Sequence, residues 1–177
     1  MEGTKVRKFK VFPAWQDDKE EAWLQAMAQQ GLHLTQPLFP CVYTFVRGAP
    51  ADVAYRFDYV PRMSRDEFEV YLQVFRDAGW EYLGQMAGWH YFRKPVRPGE
   101  APEIFTDAES KIRKYRRLLG YLVVVVMPLF IIWVTRSDER PQTVFFDAVG
   151  VFQFVVLVLM AYGLARIALR IRQLHRL

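Results

Sequence analysis

Residues 118–135 read LLGYLVVVVMPLFIIWVT, and residues 148–165 read AVGVFQFVVLVLMAYGLA. Neither segment contains a charged residue, and each is 18 residues long. At about 1.5 Å per residue, an α-helix of this length spans about 27 Å, which is close to the hydrocarbon thickness of a bilayer. The two segments therefore predict a transmembrane helical hairpin with a short loop at residues 136–143.

Lysine and arginine residues cluster at the outer ends of this hairpin. They are Lys111, Arg113, Lys114, Arg116, Arg117, Arg166, Arg170, Arg172 and Arg176. Because short basic segments stay on the cytoplasmic side, we expect a multi-pass protein of the cell membrane with both termini in the cytoplasm. The same clusters predict contact between the protein and the anionic headgroups of the lipid bilayer.

The net charge of +5 and the pI of about 9.4 come from these clusters. Residues 1–94 carry 12 Lys and Arg against 12 Asp and Glu, and the linker that follows is acidic. A front domain with no net charge does not suit a phosphate backbone, so we expect no nucleic-acid partner. Cys41 is the only cysteine, which excludes an intrachain disulfide and a zinc site built from several cysteines.

Residues 1–94 contain two similar halves that are offset by 48 residues. Each half predicts a strand at residues 5–12 or 53–60, then a helix, then a hairpin at residues 32–47 or 80–93. The identical pairs are Phe9 and Phe57, Pro13 and Pro61, Glu21 and Glu69, Leu24 and Leu72, Gln25 and Gln73, Gly31 and Gly79, and, after one deletion, Phe45 and Phe92.

The helix in each half has recognisable ends. Asp17 or Asp18 is the expected N-cap of the first helix, and Ser64 with Glu67 forms a capping box for the second. Gly31 and Gly79 stand where a helix ends in a left-handed conformation.

The expected fold class is α+β. Duplicated β-α-β-β units would form a mostly antiparallel sheet with two helices on one face. Weaker hairpins would reduce the pattern to β-α-β-β-α-β, the ferredoxin-like order. The expected boundaries are a cytoplasmic domain (1–94), a proline-rich linker (95–106), a helix that continues into the first span (107–135), the external loop (136–143), and the second span with a basic tail (144–177).

Several short motifs resemble the uncharacterised bacterial family called domain of unknown function 2812. The resemblance covers about residues 5–115 and implies a domain that precedes two C-terminal membrane spans, mostly in Gram-positive bacteria and often near transcriptional regulators of the PadR type. It implies no activity. The motifs are Trp23-Leu24, Gly31, Leu34, Tyr43-Thr44-Phe45, Tyr55-Arg56-Phe57-Asp58-Tyr59, Gly79-Trp80-Glu81, and Trp89-His90-Tyr91-Phe92-Arg93-Lys94.

The sequence contains no phosphate-binding glycine loop, metalloprotease motif or nucleophile elbow. We therefore expect no catalytic, cofactor-binding or metal-binding residues. Four carboxylates, Asp17, Asp18, Glu20 and Glu21, fall in the first turn of the first helix, where negative charge complements the helix dipole.

Large aromatic side chains are abundant in the front domain. Most of them are expected to fill the core between helices and sheet. The alternative is an apolar ligand cleft between the two halves, with arginines as polar anchors. Its candidate residues are Arg56, Trp80, Trp89 and Arg93.

The leading functional hypothesis is a non-catalytic, membrane-anchored cytoplasmic domain with a sensory or accessory role. Its partner would be a membrane or regulatory protein, or a small apolar or cationic ligand. The alternative is an enzyme that acts on lipid or envelope precursors at the inner membrane surface. Its candidate residues are Asp58, His90 and Arg93.

Overall fold

The computed structural model describes residues 5–39, 41–97, 100, 102–104, 108–135 and 144–175. Within these ranges, the side chains of residues 36–39, 108 and 144–147 are not described. The chain divides into two compact units, Met1–Thr106 and Asp107–Leu177. The predicted external loop and residue 107, where the helix that continues into the first span is predicted to begin, lie outside the described residues.

The first unit contains two β-α-β-β repeats, as the duplicated sequence predicts. The first repeat consists of β1 (Lys5–Phe9), α1 (Asp17–Gln29), β2 (Leu32–Phe39) and β3 (Val42–Arg47). The second repeat consists of β4 (Val53–Tyr59), α2 (Arg65–Asp77), β5 (Glu81–Met86) and β6 (Trp89–Pro95). The α+β class is confirmed.

The strands form two antiparallel three-stranded sheets instead of the single sheet expected from the sequence. Their orders are β1-β3-β2 and β4-β6-β5. Strands β2 and β5 lie beside each other, but the register of each is irregular, at Leu34/Gln36 and Pro37/Phe39 in β2 and at Tyr82/Gly84 in β5. Such irregularities disrupt a ladder locally, and Pro37 has no N–H to donate, so the two sheets do not join.

Helix α1 packs against both sheets. Its buried residues Leu24 and Met27 belong to one hydrophobic cluster that also contains residues from both repeats: Leu34, Tyr43, Phe45, Val53, Tyr55, Phe57 and Tyr91. Each of these large side chains buries apolar area that stabilises the fold by about 1.5–3 kcal/mol. The main core of the unit therefore lies where the two repeats meet.

Helix α2 covers the opposite face of the second sheet, so the two helices do not share one face. Leu72 and Phe75 of α2 cluster with Ala54 and Phe92. Neighbouring residues of a strand point to opposite faces. Ala54 and Phe92 therefore mark one face of this sheet, while their neighbours in the α1 cluster mark the other. The two helices pack on opposite faces of this sheet because β4 has buried residues on both of its faces, and each face must pack against another element.

The alignment of the two repeats by sequence agrees with the structure at the helices and differs at the first strand of each repeat. Both helices differ by 48 residues at each end, and Gly31 and Gly79 both follow their helices with positive φ, +75° and +79°. Strand pairing, however, places Phe9 opposite Val42, whereas Tyr59 is opposite Trp89. Phe9 therefore corresponds to Tyr59, and the sequence match of Phe9 with Phe57 is shifted by two residues.

The two helix starts differ. The capping box predicted at Ser64 and Glu67 is confirmed, with the Glu67 N–H donating to Ser64 Oγ and the Ser64 N–H donating to Glu67 Oε2. In α1 the N-cap is Gln16, whose side chain makes no capping hydrogen bond, and Asp17 is the first helical residue. The predicted N-cap at Asp17 or Asp18 is thus displaced, and Asp17 is buried.

The second unit is a helical hairpin. Helix α3 (Ala108–Val134) contains the first basic cluster and most of the first apolar segment. Helix α4 (Val144–Leu174) contains the second apolar segment and, after it, Arg166, Arg170 and Arg172 of the second basic cluster. The two helices are in contact, since the rings of Trp133 and Phe154 are 6.0 Å apart and Gln153 Nε2 donates to the Leu129 carbonyl at 2.8 Å. Both helices are long and apolar enough to cross a membrane.

Candidate functional site

A pocket of about 180 Å³ lies in the first unit, where the two repeats meet. One wall comes from the first repeat and the opposite wall from strands β4 and β6 of the second, with the β5–β6 turn beside them. Its lining residues are Phe12, Pro13, Ala14, Asp17, Glu20, Cys41, Tyr43, Phe57, Met86, Ala87, Trp89 and Tyr91. The pocket therefore requires both repeats to be folded.

Glu20 is the polar centre of this pocket. It lies on the first turn of α1 and is only 9% exposed. The hydroxyl of Tyr43 donates to Glu20 Oε1 at 2.9 Å, and the hydroxyl of Tyr91 donates to the same oxygen at 3.1 Å. One side chain from each sheet thus fixes the carboxyl group, and residues far apart in the sequence meet at a single oxygen.

Burial raises the pKa of Glu20 to about 7, because the charged carboxylate is deprived of water. The two tyrosine hydroxyls lower this pKa by donating to the carboxylate, and the nearby charge of Asp17 raises it. Burial and the charge of Glu20 also raise the pKa of Tyr43 and Tyr91. The tyrosines therefore remain protonated donors, while Glu20 changes its charge near neutral pH.

Aromatic rings form most of the remaining wall. Phe57 and Tyr91 pack with ring centroids 4.3 Å apart, and Trp89 packs against Tyr59 at 5.1 Å. Among the described residues that line the pocket, none is a lysine, arginine or histidine. The arrangement is thus a ring-lined cavity with two acidic side chains, Asp17 and Glu20.

Of the four residues of the predicted cleft, only Trp89 lines the Glu20 pocket. Trp80 is buried in the α2 cluster. Arg56 binds Glu103 at 3.0 Å, and Arg93 forms a two-point ion pair with Glu81 at 2.7 and 2.8 Å.

The residues considered for an enzyme come together only in part. Asp58 and His90 are opposite each other in the β4–β6 pair, and both are buried. Tyr71 donates to Asp58 at 3.1 Å, and His90 lies 3.2 Å from the Tyr82 hydroxyl and 3.1 Å from the Val60 carbonyl. Arg93, three residues after His90, is on the other face of the sheet.

Sequence reasoning assigned Glu20 to the helix dipole and missed its place in the pocket. A signal was available, because Glu20, Leu24 and Met27 have helical spacing and therefore share one face of α1. A carboxylate on the buried stripe of a helix needs partners. The partners, Tyr43 and Tyr91, are visible only once the sheets are placed.

The basic clusters lie at one end of the hairpin. The Arg170 guanidinium lies 4.9 Å from the ring centroid of Tyr115, and Arg116 Nη2 lies 3.4 Å from His175 Nε2. These contacts bring together the clusters of α3 and α4: Lys111, Arg113, Lys114, Arg116, Arg117, Arg166, Arg170 and Arg172. Arg176 lies outside the described residues.

Within the described part of the chain, no group of three or more His, Cys, Asp or Glu side chains is placed to hold a metal ion. Cys41 lines the Glu20 pocket as a free thiol.

Fold and sequence together define a class of protein, a duplicated α+β domain followed by an apolar helical hairpin. Residues 16–127 match the family described as "Protein of unknown function (DUF2812)", and the chain belongs to that family. The matched region includes Glu20, Tyr43 and Tyr91. No curated protein and no solved structure shows significant similarity to the chain.

Proposed function

We propose that the protein is a membrane-anchored domain that binds a small molecule in the Glu20 pocket and acts in a sensory or accessory role, without catalysis. The observation that carries this proposal is the pocket itself, with a carboxyl group held by one tyrosine from each sheet. Ligand sites are concave and mostly apolar, with few but well-placed polar groups.

The size of the pocket suits a small ligand or part of a larger one. An apolar cavity of about 150 Å³ holds benzene, and the Glu20 pocket is slightly larger. Because its walls come from both repeats, an occupant contacts both sheets and α1. Binding would therefore stabilise one arrangement of the two repeats, which is the property that a sensory domain needs.

The helical hairpin supports the membrane anchor. In the apolar segment of each helix, only 11% of α3 and 6% of α4 is buried. Most of this apolar surface is therefore available to contact lipid. In a soluble protein, exposed apolar surface of this extent would be unfavourable. The basic clusters at one end of the hairpin support a first unit and a C-terminal tail on the cytoplasmic side, because short basic segments stay on that side.

A second candidate function follows from the raised pKa of Glu20. A carboxyl group that titrates near neutral pH is suited to act as a general acid or base. An enzyme of the inner membrane surface would then use Glu20, which lines the pocket, rather than Asp58 and His90, which do not line it. If so, the Glu20→Gln variant would bind substrate and fail to turn it over, whereas a binding domain has no turnover to lose.

The binding proposal can be tested by ligand-observed NMR with a library of small organic fragments, using the full chain in zwitterionic nanodiscs and empty nanodiscs as reference. The Ala14→Phe variant fills the pocket, because Ala14 lines it. Ala51→Phe adds the same side chain at an exposed position of the same unit.

We expect fragments whose signals persist with wild type and Ala51→Phe and disappear with Ala14→Phe. If the library gives the same signals with Ala14→Phe as with wild type, the pocket is not the binding site and the proposal is wrong.

A further inference from the structure

We propose that the ligand of the Glu20 pocket is an organic cation, held between the Glu20 carboxylate and the surrounding aromatic rings, and that its binding displaces a proton from Glu20. This inference rests on the proposed function and specifies the chemistry of the same site.

The charges around the pocket favour a cation. Glu20 is a buried acidic side chain of the lining, and none of the described lining residues is a lysine, arginine or histidine. An anionic ligand would meet the Glu20 carboxylate in a partly dehydrated site, where like charges repel strongly. The lining therefore disfavours anions relative to cations and neutral molecules.

The aromatic rings distinguish a cation from a neutral molecule. Trp89, Tyr91, Tyr43 and Phe57 all line the pocket. The face of such a ring attracts a cation within about 6 Å of its centroid, most strongly when water is excluded. Aromatic cages of this kind recognise quaternary ammonium groups.

A neighbouring contact shows the same preference. The ammonium of Lys10 lies 5.1 Å from the ring centroid of Phe12 and 4.9 Å from that of Trp23. Phe12 also lines the pocket, so one lining ring already attracts a cation of the protein, while no ion pair among the described residues joins Lys10 to Glu20.

The hydrogen bonds at Glu20 leave room for the ligand's charge. Both tyrosine hydroxyls donate to Oε1, and no described residue donates a hydrogen bond to Oε2. Oε2 therefore carries the proton when Glu20 is neutral and faces the ligand's charge when Glu20 is ionised. The tyrosines stay fixed in both states because Oε1 accepts their hydrogen bonds throughout.

Proton displacement follows from the groups that face Glu20. They are Asp17 on α1, Tyr43 on β3 and Tyr91 on β6, and together with burial they set the pKa of Glu20 at about 7. A bound cation stabilises the carboxylate and so competes with the proton. Below pH 7 most of the protein carries this proton, and cation binding must release it.

The test uses isothermal titration calorimetry of the full chain in zwitterionic nanodiscs, in two buffers of different ionisation enthalpy. The probes are two cations, benzyltrimethylammonium and choline. The neutral control is 3,3-dimethylbutan-1-ol, which has the shape of choline without its charge.

We expect both cations to bind about tenfold more tightly at pH 8 than at pH 6, with close to one proton released at pH 6 and about one tenth at pH 8. The neutral alcohol should bind with the same affinity at both pH values.

Two variants locate the effect. Glu20→Gln keeps the size and the acceptor oxygen of the side chain, and should weaken cation binding at pH 8 at least tenfold while leaving the alcohol unaffected. Asp18→Asn removes the same formal charge from an exposed position on the same helical turn and outside the pocket. It should change cation affinity less than twofold.

The outcomes separate this inference from the function on which it rests. Equal affinity for choline and the alcohol at pH 8, or cation binding without proton release at pH 6, overturns the cation inference and leaves a neutral-ligand pocket. Equal loss of cation affinity in Asp18→Asn and Glu20→Gln also overturns it, because the effect would then be general electrostatics. A fragment library that fails to respond to Ala14→Phe overturns the pocket itself.

Discussion

The two repeats share one topology and differ where the pocket lies. Position 20 of the first helix corresponds to position 68 of the second, and position 43 corresponds to position 90. The first repeat thus has Glu20 hydrogen-bonded to Tyr43, while the second has Phe68 packed against His90 with ring centroids 5.8 Å apart. An ionisable contact in one repeat is an aromatic contact in the other.

The surroundings of these two positions differ in charge as well. In the second repeat, Arg62, Arg65, Phe68 and His90 line a separate, broader pocket of about 570 Å³, and all of its described lining belongs to that repeat. In the first repeat the lining is acidic, and Phe57, Trp89 and Tyr91 of the second repeat complete it. The two repeats therefore carry pockets at equivalent positions, and of these two pockets only the one in the first repeat has an acidic lining that is completed by residues of the other repeat.

The largest expected effect comes from the two glycines that follow α1 and α2. An alanine at either position costs about 1–2 kcal/mol, because φ is +75° at Gly31 and +79° at Gly79. A Cβ at Gly31 would also lie 2.5 Å from the Gly48 carbonyl oxygen, whereas at Gly79 the nearest atom is the mobile Lys94 Cε at 3.5 Å. We expect Gly31→Ala to cost about 3 kcal/mol or more and Gly79→Ala about 1–2 kcal/mol, measured by urea unfolding with tryptophan fluorescence. Equal losses would mean that the two helix ends are not packed differently.

The next largest effect is the pH dependence of stability set by Glu20. The pKa of Glu20 in the folded protein is about 7, above the ordinary value of 4.5. Protonated Glu20 therefore contributes fully to the free energy of unfolding below pH 4.5, and this contribution is lost as the pH rises through 7. The Glu20→Gln variant should therefore gain about 3 kcal/mol relative to wild type between pH 4.5 and pH 8. Urea unfolding at several pH values measures this difference.

Glu67, in the capping box of α2, provides a control with the opposite sign. The hydrogen bonds from Ser64 lower the pKa of Glu67, so its contribution is present above its ordinary pKa and is lost as the pH falls. The difference between Glu67→Gln and wild type should therefore shrink at acidic pH. If both variants show the same slope, a general charge effect explains the result and the role of Glu20 is wrong.

The smallest expected effect separates the two helix starts. Ser64→Ala removes both of the hydroxyl's hydrogen bonds with Glu67 and should destabilise the protein by about 1 kcal/mol. Gln16→Ala at the equivalent position of α1 removes no capping bond and should leave the free energy of unfolding within about 0.5 kcal/mol of wild type. Thermal unfolding followed by circular dichroism measures both, and a larger loss in Gln16→Ala would contradict the assigned caps.

Much of the fold was predictable because its signals are local. The order of elements, the Ser64 capping box, the glycines after each helix and the apolar hairpin each depend on residues close together in the sequence. The division into two sheets was not predictable, since it depends on register irregularities in β2 and β5 that periodicity does not reveal.

Most of the candidate site could not be predicted either, because it depends on contacts between residues far apart in the sequence. Trp89, one of the predicted cleft residues, lines the Glu20 pocket, but the polar centre joins Glu20 to tyrosines 23 and 71 positions away. The helical spacing of Glu20 with Leu24 and Met27 indicates that they share one face of α1, but it does not indicate which side chains meet Glu20 there. Long-range contacts of this kind leave no periodic trace in one sequence.

The double-sided packing of α1 has a consequence for synthesis on the ribosome. The first repeat ends at Arg47, and the tyrosine that completes the Glu20 site is Tyr91, roughly 44 residues later. At 5–20 residues per second, that interval lasts roughly 2–9 s. Throughout this time one side of α1 has no cover and Glu20 is in water, so the nascent helix carries a charged carboxylate. Burial by the second repeat then raises the pKa of Glu20 toward 7, so any uptake of a proton by this carboxylate comes late in the folding of the unit.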